Sequence, residues 1–92
     1  MRKIESDMLK AIYSGNHFAN GNTRVDITDT CAEVYLHGNH IATVSRHGTV
    51  DVNTNTLLKY PTRTTLSRLR AFGVDVSIRK GEVILNGEPL SY

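Results

Sequence analysis

Between Thr23 and Asn53 the apolar residues recur at every second position, and turn-forming residues interrupt them about every ten positions. This stretch limits the fold more than any other, because a strand pattern with period two can bury only one of its two faces. Two-residue turns at Asp29-Thr30, Gly38-Asn39 and His47-Gly48 would fix the register of four strands by counting outward from each turn. In that register Val25, Ile27, Ala32, Val34, Leu36, Ile41, Thr43, Ser45, Val50 and Val52 share the core face. Arg24, Asp26, Glu33, Tyr35, His37, His40, Ala42, Val44, Asp51 and Asn53 fall on the other, mostly polar face. The expectation is an antiparallel meander with one buried side.

Helical signals flank the meander. Ile4, Met8 and Ile12 recur at the spacing of one helix face over residues 3 to 14, with Lys3, Glu5, Asp7 and Lys10 elsewhere around the helix. Gly15-Asn16 ends that helix, and the Asn/Gly-rich stretch to Asn22 reads as loop. After an irregular stretch around Tyr60-Pro61, Thr64 or Thr65 is placed to cap a second helix. Its stripe is Leu66, Leu69 and Phe72, and Gly73 supplies its left-handed end. Val74, Val76 and Ile78 then alternate with polar residues, and Val83 and Leu85 return across Lys80-Gly81, with Arg79 opposite Glu82. The predicted fold class is α+β in one domain spanning residues 1–92: an N-terminal helix, a four-stranded antiparallel meander, a second helix and a C-terminal β-hairpin. Both helices lie on the apolar face of the meander.

Composition excludes several functions. No apolar run approaches the roughly 20 residues of a membrane-spanning helix, so no membrane partner is expected. The N-terminus lacks the apolar core of a secretory signal, and the single cysteine, Cys31, excludes an internal disulfide and any zinc pattern built on paired cysteines. A reducing cytoplasm is the expected compartment. Phosphate-binding glycine loops are absent, which argues against a nucleotide enzyme and leaves no cofactor implied.

The candidate chemistry is sparse. His37 and His40, directly opposite each other across the expected Gly38-Asn39 turn, would make two metal ligands, with His47, Asp51 or Glu33 needed to complete a site. No spacing demands those additions, so no metal is expected. Cys31 has no glycine-flanked elbow to mark it as a nucleophile. Asp26 and Glu33 should be cross-strand neighbours, a like-charge pair that Arg24 is placed to relieve. No catalytic residues and no enzymatic activity are expected.

Charge provides the strongest functional signal. Lys59, Arg63, Arg68, Arg70, Arg79 and Lys80 face a single acid, Asp75, between positions 59 and 80, whereas residues 1–58 carry five basic and six acidic residues. Arg63 and Arg70, seven residues apart, share a helix face, while Arg68 projects elsewhere, away from the apolar stripe. These six residues are the expected binding surface, with the sheet face around Tyr35, His37 and His40 as the secondary one.

Local likenesses to a winged-helix recognition helix (Thr65 to Val76) and to the closing hairpin of a small RNA-binding domain (Ile78 to Leu90) each cover under a third of the chain. The helices that those folds require are replaced by the meander. A broader likeness runs nearly end to end: Met1-Arg-Lys-Ile-Glu with Met8 and Ala11-Ile12, then Gly21-Asn-Thr, Val34-Tyr-Leu-His-Gly-Asn-His-Ile-Ala42 and Tyr60-Pro-Thr-Arg-Thr-Thr-Leu-Ser-Arg-Leu-Arg-Ala71. In these blocks the chain resembles a family of small proteins of tailed bacteriophages, especially short-tailed phages of enteric bacteria. The resemblance implies expression in the cytoplasm of an infected bacterial host and carries over no site residues. The expected function is that of a non-enzymatic binding protein that inhibits a host enzyme or defence complex, of anti-CRISPR, anti-restriction or host-takeover type. Its partner would be a host protein or nucleoprotein complex. The alternative is direct nucleic-acid binding through the basic second helix and hairpin. Oligomeric state is left open.

Overall fold

A computed structural model of the chain describes residues 2–90. Helix α1 (Lys3–Tyr13) forms where the spacing of Ile4, Met8 and Ile12 predicts it, and is followed by a short strand, β1 (Phe18–Asn20). Next come β2 (Thr23–Ile27), β3 (Cys31–Leu36), β4 (Asn39–Ser45) and β5 (Val50–Val52). They join β1 in an antiparallel sheet ordered as in the chain. The meander therefore has five strands rather than four. The extra strand was illegible because only Phe18 of its three residues is partly covered, so no hydrophobic alternation marks it. It pairs with β2, Phe18 opposite Val25 and Asn20 opposite Thr23, and becomes the edge of the sheet. His17 extends that pairing, its Nδ1 accepting the backbone N–H of Ile27 at 3.1 Å.

Two helices, not one, follow the sheet. A short α2 (Thr54–Lys59) occupies part of the stretch read as irregular, started by Asn53, whose side chain accepts from the backbone N–H of Thr56. Helix α3 (Arg63–Ala71) is capped by Thr62, whose Oγ1 accepts from the N–H of Thr65, and so begins earlier than a cap at Thr64 or Thr65 would allow. It ends as expected: Gly73 takes φ +85°, and the N–H groups of Gly73 and Val74 bond the carbonyls of Arg70 and Leu69. The predicted hairpin forms as β6 (Val76–Arg79) and β7 (Glu82–Leu85), with Arg79 opposite Glu82. A third short strand, β8 (Glu88–Pro89), pairs with β7 after an Asn86-Gly87 turn. The fold class is α+β, as the sequence indicates.

The register of the sheet follows the counting rule at one turn and departs from it at two. Around Asp29-Thr30 the pairing is as expected, with Val25 opposite Val34 and Asp26 opposite Glu33. The β3–β4 turn is instead His37-Gly38, both at positive φ, so Leu36 pairs with Asn39 and Tyr35 with His40. The ladder then shifts between Val34 and Tyr35, and Val34 faces Ala42. A bulge of this kind lets two successive residues of one strand turn inward, and Ile41 and Ala42 are both buried. From there Ala42 and Val44 point into the core, while Thr43 pairs with Glu33 and Ser45 with Cys31. The expected faces of Ala42, Thr43, Val44 and Ser45 are thus reversed. Four residues, Arg46 to Thr49, connect β4 to β5; the Ser45 N–H bonds the Thr49 carbonyl, so the turn itself holds three, with Gly48 at φ +86°, and Val50 sits opposite Val44 and Val52 opposite Ala42. One extra residue at each irregularity restores Val50 and Val52 to the covered side.

The core lies between this face and the helices. Met8 of α1, Leu57 of α2, and Leu66 and Leu69 of α3 are buried with Val25, Val34, Leu36, Ile41 and Val44. Val76 and Val83 attach the C-terminal sheet to the same cluster through α3. Short helices such as these gain most of their stability from this burial.

Candidate functional site

Of the six basic residues expected to form one surface, the structure exposes Lys59, Arg63, Arg70, Arg79 and Lys80 and buries Arg68. Arg68 follows Thr65 by three residues and precedes Phe72 by four, which turns it toward α1 rather than outward. Its Nη1 donates to Glu5 Oε2 at 2.8 Å and its Nε to Thr23 Oγ1 at 3.0 Å, with the arginine and glutamate side chains 4% and 3% exposed. Glu5 also accepts the Ser67 hydroxyl and, through Oε1, the backbone N–H of Arg2 at the start of α1. Burial opposes the charge on Glu5, but the hydroxyl, the guanidinium and the backbone N–H together outweigh it and hold the carboxyl below its usual range. Arg68 is therefore a structural residue and leaves the candidate surface. A sequence signal for this existed: Glu5, Met8 and Ile12 lie at helical spacing on one row, which places the glutamate on the buried side of α1.

Of the five remaining basic residues, Arg79 stands opposite Glu82 in the β6–β7 ladder. Among the described residues none of them lies in an ion pair, and no acid occurs from Val52 to Val74. Arg70 is anchored by donating Nε to the carbonyl of Val76 at 2.9 Å, which ties α3 to the edge of β6. The Lys59 ammonium stands 5.5 Å from the centre of the Tyr60 ring, and Tyr60 is itself 40% exposed. Arg63 begins α3 beside the capping Thr62, and Arg79 and Lys80 occupy the tip of the β6–β7 hairpin. A notch of about 240 Å³ lies between the α2–α3 junction and the β3–β4 turn, lined by Leu36, His37, Asn39, Ile41, Thr56 and Tyr60 together with Thr62 and Thr65, and Lys59 and Arg63 neighbour the lining Tyr60 and Thr62 in the chain.

The outer face of the sheet carries a polar network. Arg24 sits 4.3 Å from the centre of the Tyr35 ring and 3.4 Å from Asp26, so it relieves the Asp26–Glu33 pairing as expected. Tyr35 meets His40 edge-on at 5.4 Å. The His40 ring is held at both nitrogens, Nε2 lying 2.7 Å from Glu33 Oε2 and Nδ1 3.2 Å from Asn53 Nδ2. Thr43 donates to the same glutamate. His37 is not part of this group. The shifted turn places it in the loop, hydrogen-bonded to Asn22 rather than opposite His40, so the facing pair that would begin a metal site does not form. Among the described residues no cluster of three or more His, Cys, Asp or Glu side chains is arranged to hold a metal ion. The Cys31 thiol contacts Thr28 and donates to Glu33, while His40 is bonded to Glu33, Thr43 and Asn53.

No curated protein and no solved structure matches the chain. A family model described as Kyanoviridae Gp96 protein matches residues 1–91. Kyanoviridae are cyanophages of the myovirus type, so the phage origin implied by the end-to-end likeness holds, while its finer assignment to short-tailed phages of enteric bacteria is overturned. With all but Tyr92 of its residues inside that match, the chain belongs to the Kyanoviridae Gp96 protein family.

Proposed function

We propose that this phage protein is a non-enzymatic binding protein of the infected host cytoplasm that inhibits a host enzyme or defence complex. It would engage that partner through Lys59, Arg63, Arg70, Arg79 and Lys80. The observation that supports this reading is the set of five exposed basic side chains with no ion-pair partner among the described residues, on a chain whose first 58 residues carry nearly balanced charge. Gathering like charges contributes nothing to folding and slightly opposes it through mutual repulsion. The burial of Arg68 sharpens the reading, because a basic residue held inside the fold by Glu5 is removed from the set.

Direct nucleic-acid binding is the second reading, favoured by the absence of any acid between Val52 and Val74, the stretch that holds Lys59, Arg63 and Arg70. One experiment separates the two: affinity capture of the tagged full-length protein from cyanobacterial host lysate, with and without nuclease, beside a variant carrying Lys59→Gln, Arg63→Gln and Arg70→Gln. A protein partner retained after nuclease and lost in the variant supports inhibition by binding. Capture that nuclease abolishes supports the nucleic-acid reading. Unchanged nuclease-resistant capture by the folded variant defeats the assignment of this surface.

A further inference from the structure

We infer that the notch beside Tyr60 is the anchor pocket of the basic surface and receives a single apolar side chain from an acidic segment of a partner protein. The inference rests on the binding role proposed above and names the chemistry of the partner. At about 240 Å³ the notch is smaller than the roughly 300–1,000 Å³ of cavities that enclose whole small-molecule ligands, but of a size for one large side chain. Leu36, Ile41 and the Tyr60 ring supply apolar walls, and none of the lining residues is acidic. The Thr62 and Thr65 hydroxyls on the same wall are 3.0 Å apart and bonded to each other, with Thr62 also capping α3. They are poorly placed to read the polar edge of a nucleobase, which needs free donors and acceptors; of the other polar lining residues His37 is engaged by Asn22, which leaves Asn39.

The rim supplies the complementary charge. Lys59 stands over the Tyr60 ring, Arg63 follows the lining Thr62, and neither has a carboxylate partner among the described residues. A buried apolar anchor surrounded by charged contacts is the usual distribution of energy in a protein interface. Acidic residues on either side of the anchor would meet Lys59 and Arg63 as the anchor enters.

The test uses the isotopically labelled full-length chain and three probes: a short Asp/Glu peptide with one central phenylalanine, the same peptide with central glycine, and a single-stranded oligonucleotide of equal charge. The phenylalanine peptide is expected to shift the amide signals of Leu36, Ile41, Thr56 and Tyr60 saturably. It should bind about tenfold more tightly than the glycine peptide, the effect of burying one aromatic side chain. Thr56→Phe, which fills the notch, should abolish that preference while leaving the weak binding of the glycine peptide. Tyr60→Ala, which removes a wall from an exposed position, is the second variant should the first disturb folding. Equal affinity for the two peptides, or an oligonucleotide that shifts the same signals as strongly, overturns the notch assignment. Loss of glycine-peptide binding in Lys59→Gln/Arg63→Gln without any phenylalanine preference in the parent would sink the notch alone. Unchanged binding of every probe by that variant would sink the basic-surface reading itself.

Discussion

Arg68 Nη1 and Glu5 Oε2 meet at 2.8 Å with both side chains shielded from water, fastening α3 to α1 across the longest sequence separation of any side-chain hydrogen bond among the described residues. Thr23 of β2 accepts from the same guanidinium, so one ion pair joins two helices and the sheet. Every buried side-chain polar atom among the described residues has a partner, which is the condition under which such a pair is tolerated.

Removing either member alone should therefore be costly. Arg68→Ala or Glu5→Ala is expected to lower stability by about 3–5 kcal/mol, because each leaves the other charge buried and unpaired. Replacing both with leucine should recover a large part of that loss. Denaturant titration of the two single variants and the double variant checks this, and additive losses in the double variant would contradict it.

The same carboxyl predicts acid sensitivity. Its folded value lies below 4.5, the value of the free side chain, so ionised Glu5 stabilises the fold fully above about pH 4.5. That contribution is lost as the pH falls from there through the lower folded value. Denaturation midpoints measured across this acidic range should fall for the parent chain and fall less for Glu5→Gln, which has no charge to lose.

The shifted register has its own test. Val44 is 7% exposed and faces the core, whereas Thr43 points outward to Glu33. Val44→Ala should cost about 2 kcal/mol and Thr43→Val less than about 1 kcal/mol. The opposite order would restore the register without the bulge. Leu36, 3% exposed, lies inward in either register, and Leu36→Ala is expected to cost about 2–4 kcal/mol.

On the surface, charge and folding should separate. Lys59→Gln, Arg63→Gln and Lys80→Gln are expected to leave the melting temperature nearly unchanged while weakening the partner interaction, whereas Arg68→Gln should lower it sharply. If the partner is nucleic acid, each phosphate-contacting residue removed should shallow the salt dependence by about one unit. A protein partner should show a modest slope and one or two dominant positions worth about 2 kcal/mol or more.

The sequence by itself determined the α+β class, α1, the capped end of α3 at Gly73 and the β6–β7 hairpin. Each of these follows from local rules, either a hydrophobic period or the turn chemistry of a few neighbouring residues. It also determined that charge gathers between Lys59 and Lys80. Only the tertiary structure decided which turn closes β3 and β4, because both His37-Gly38 and Gly38-Asn39 satisfy the local requirement, and the contacts of His37 with Asn22 accompany the former. It also decided the status of Arg68, whose helical position borders both solvent and core. An arginine there is surface or structure according to whether a carboxylate far away in sequence arrives beside it, and the packing of α1 brings Glu5 to it. Pairings over such distances depend on how the elements assemble, and no local pattern encodes them.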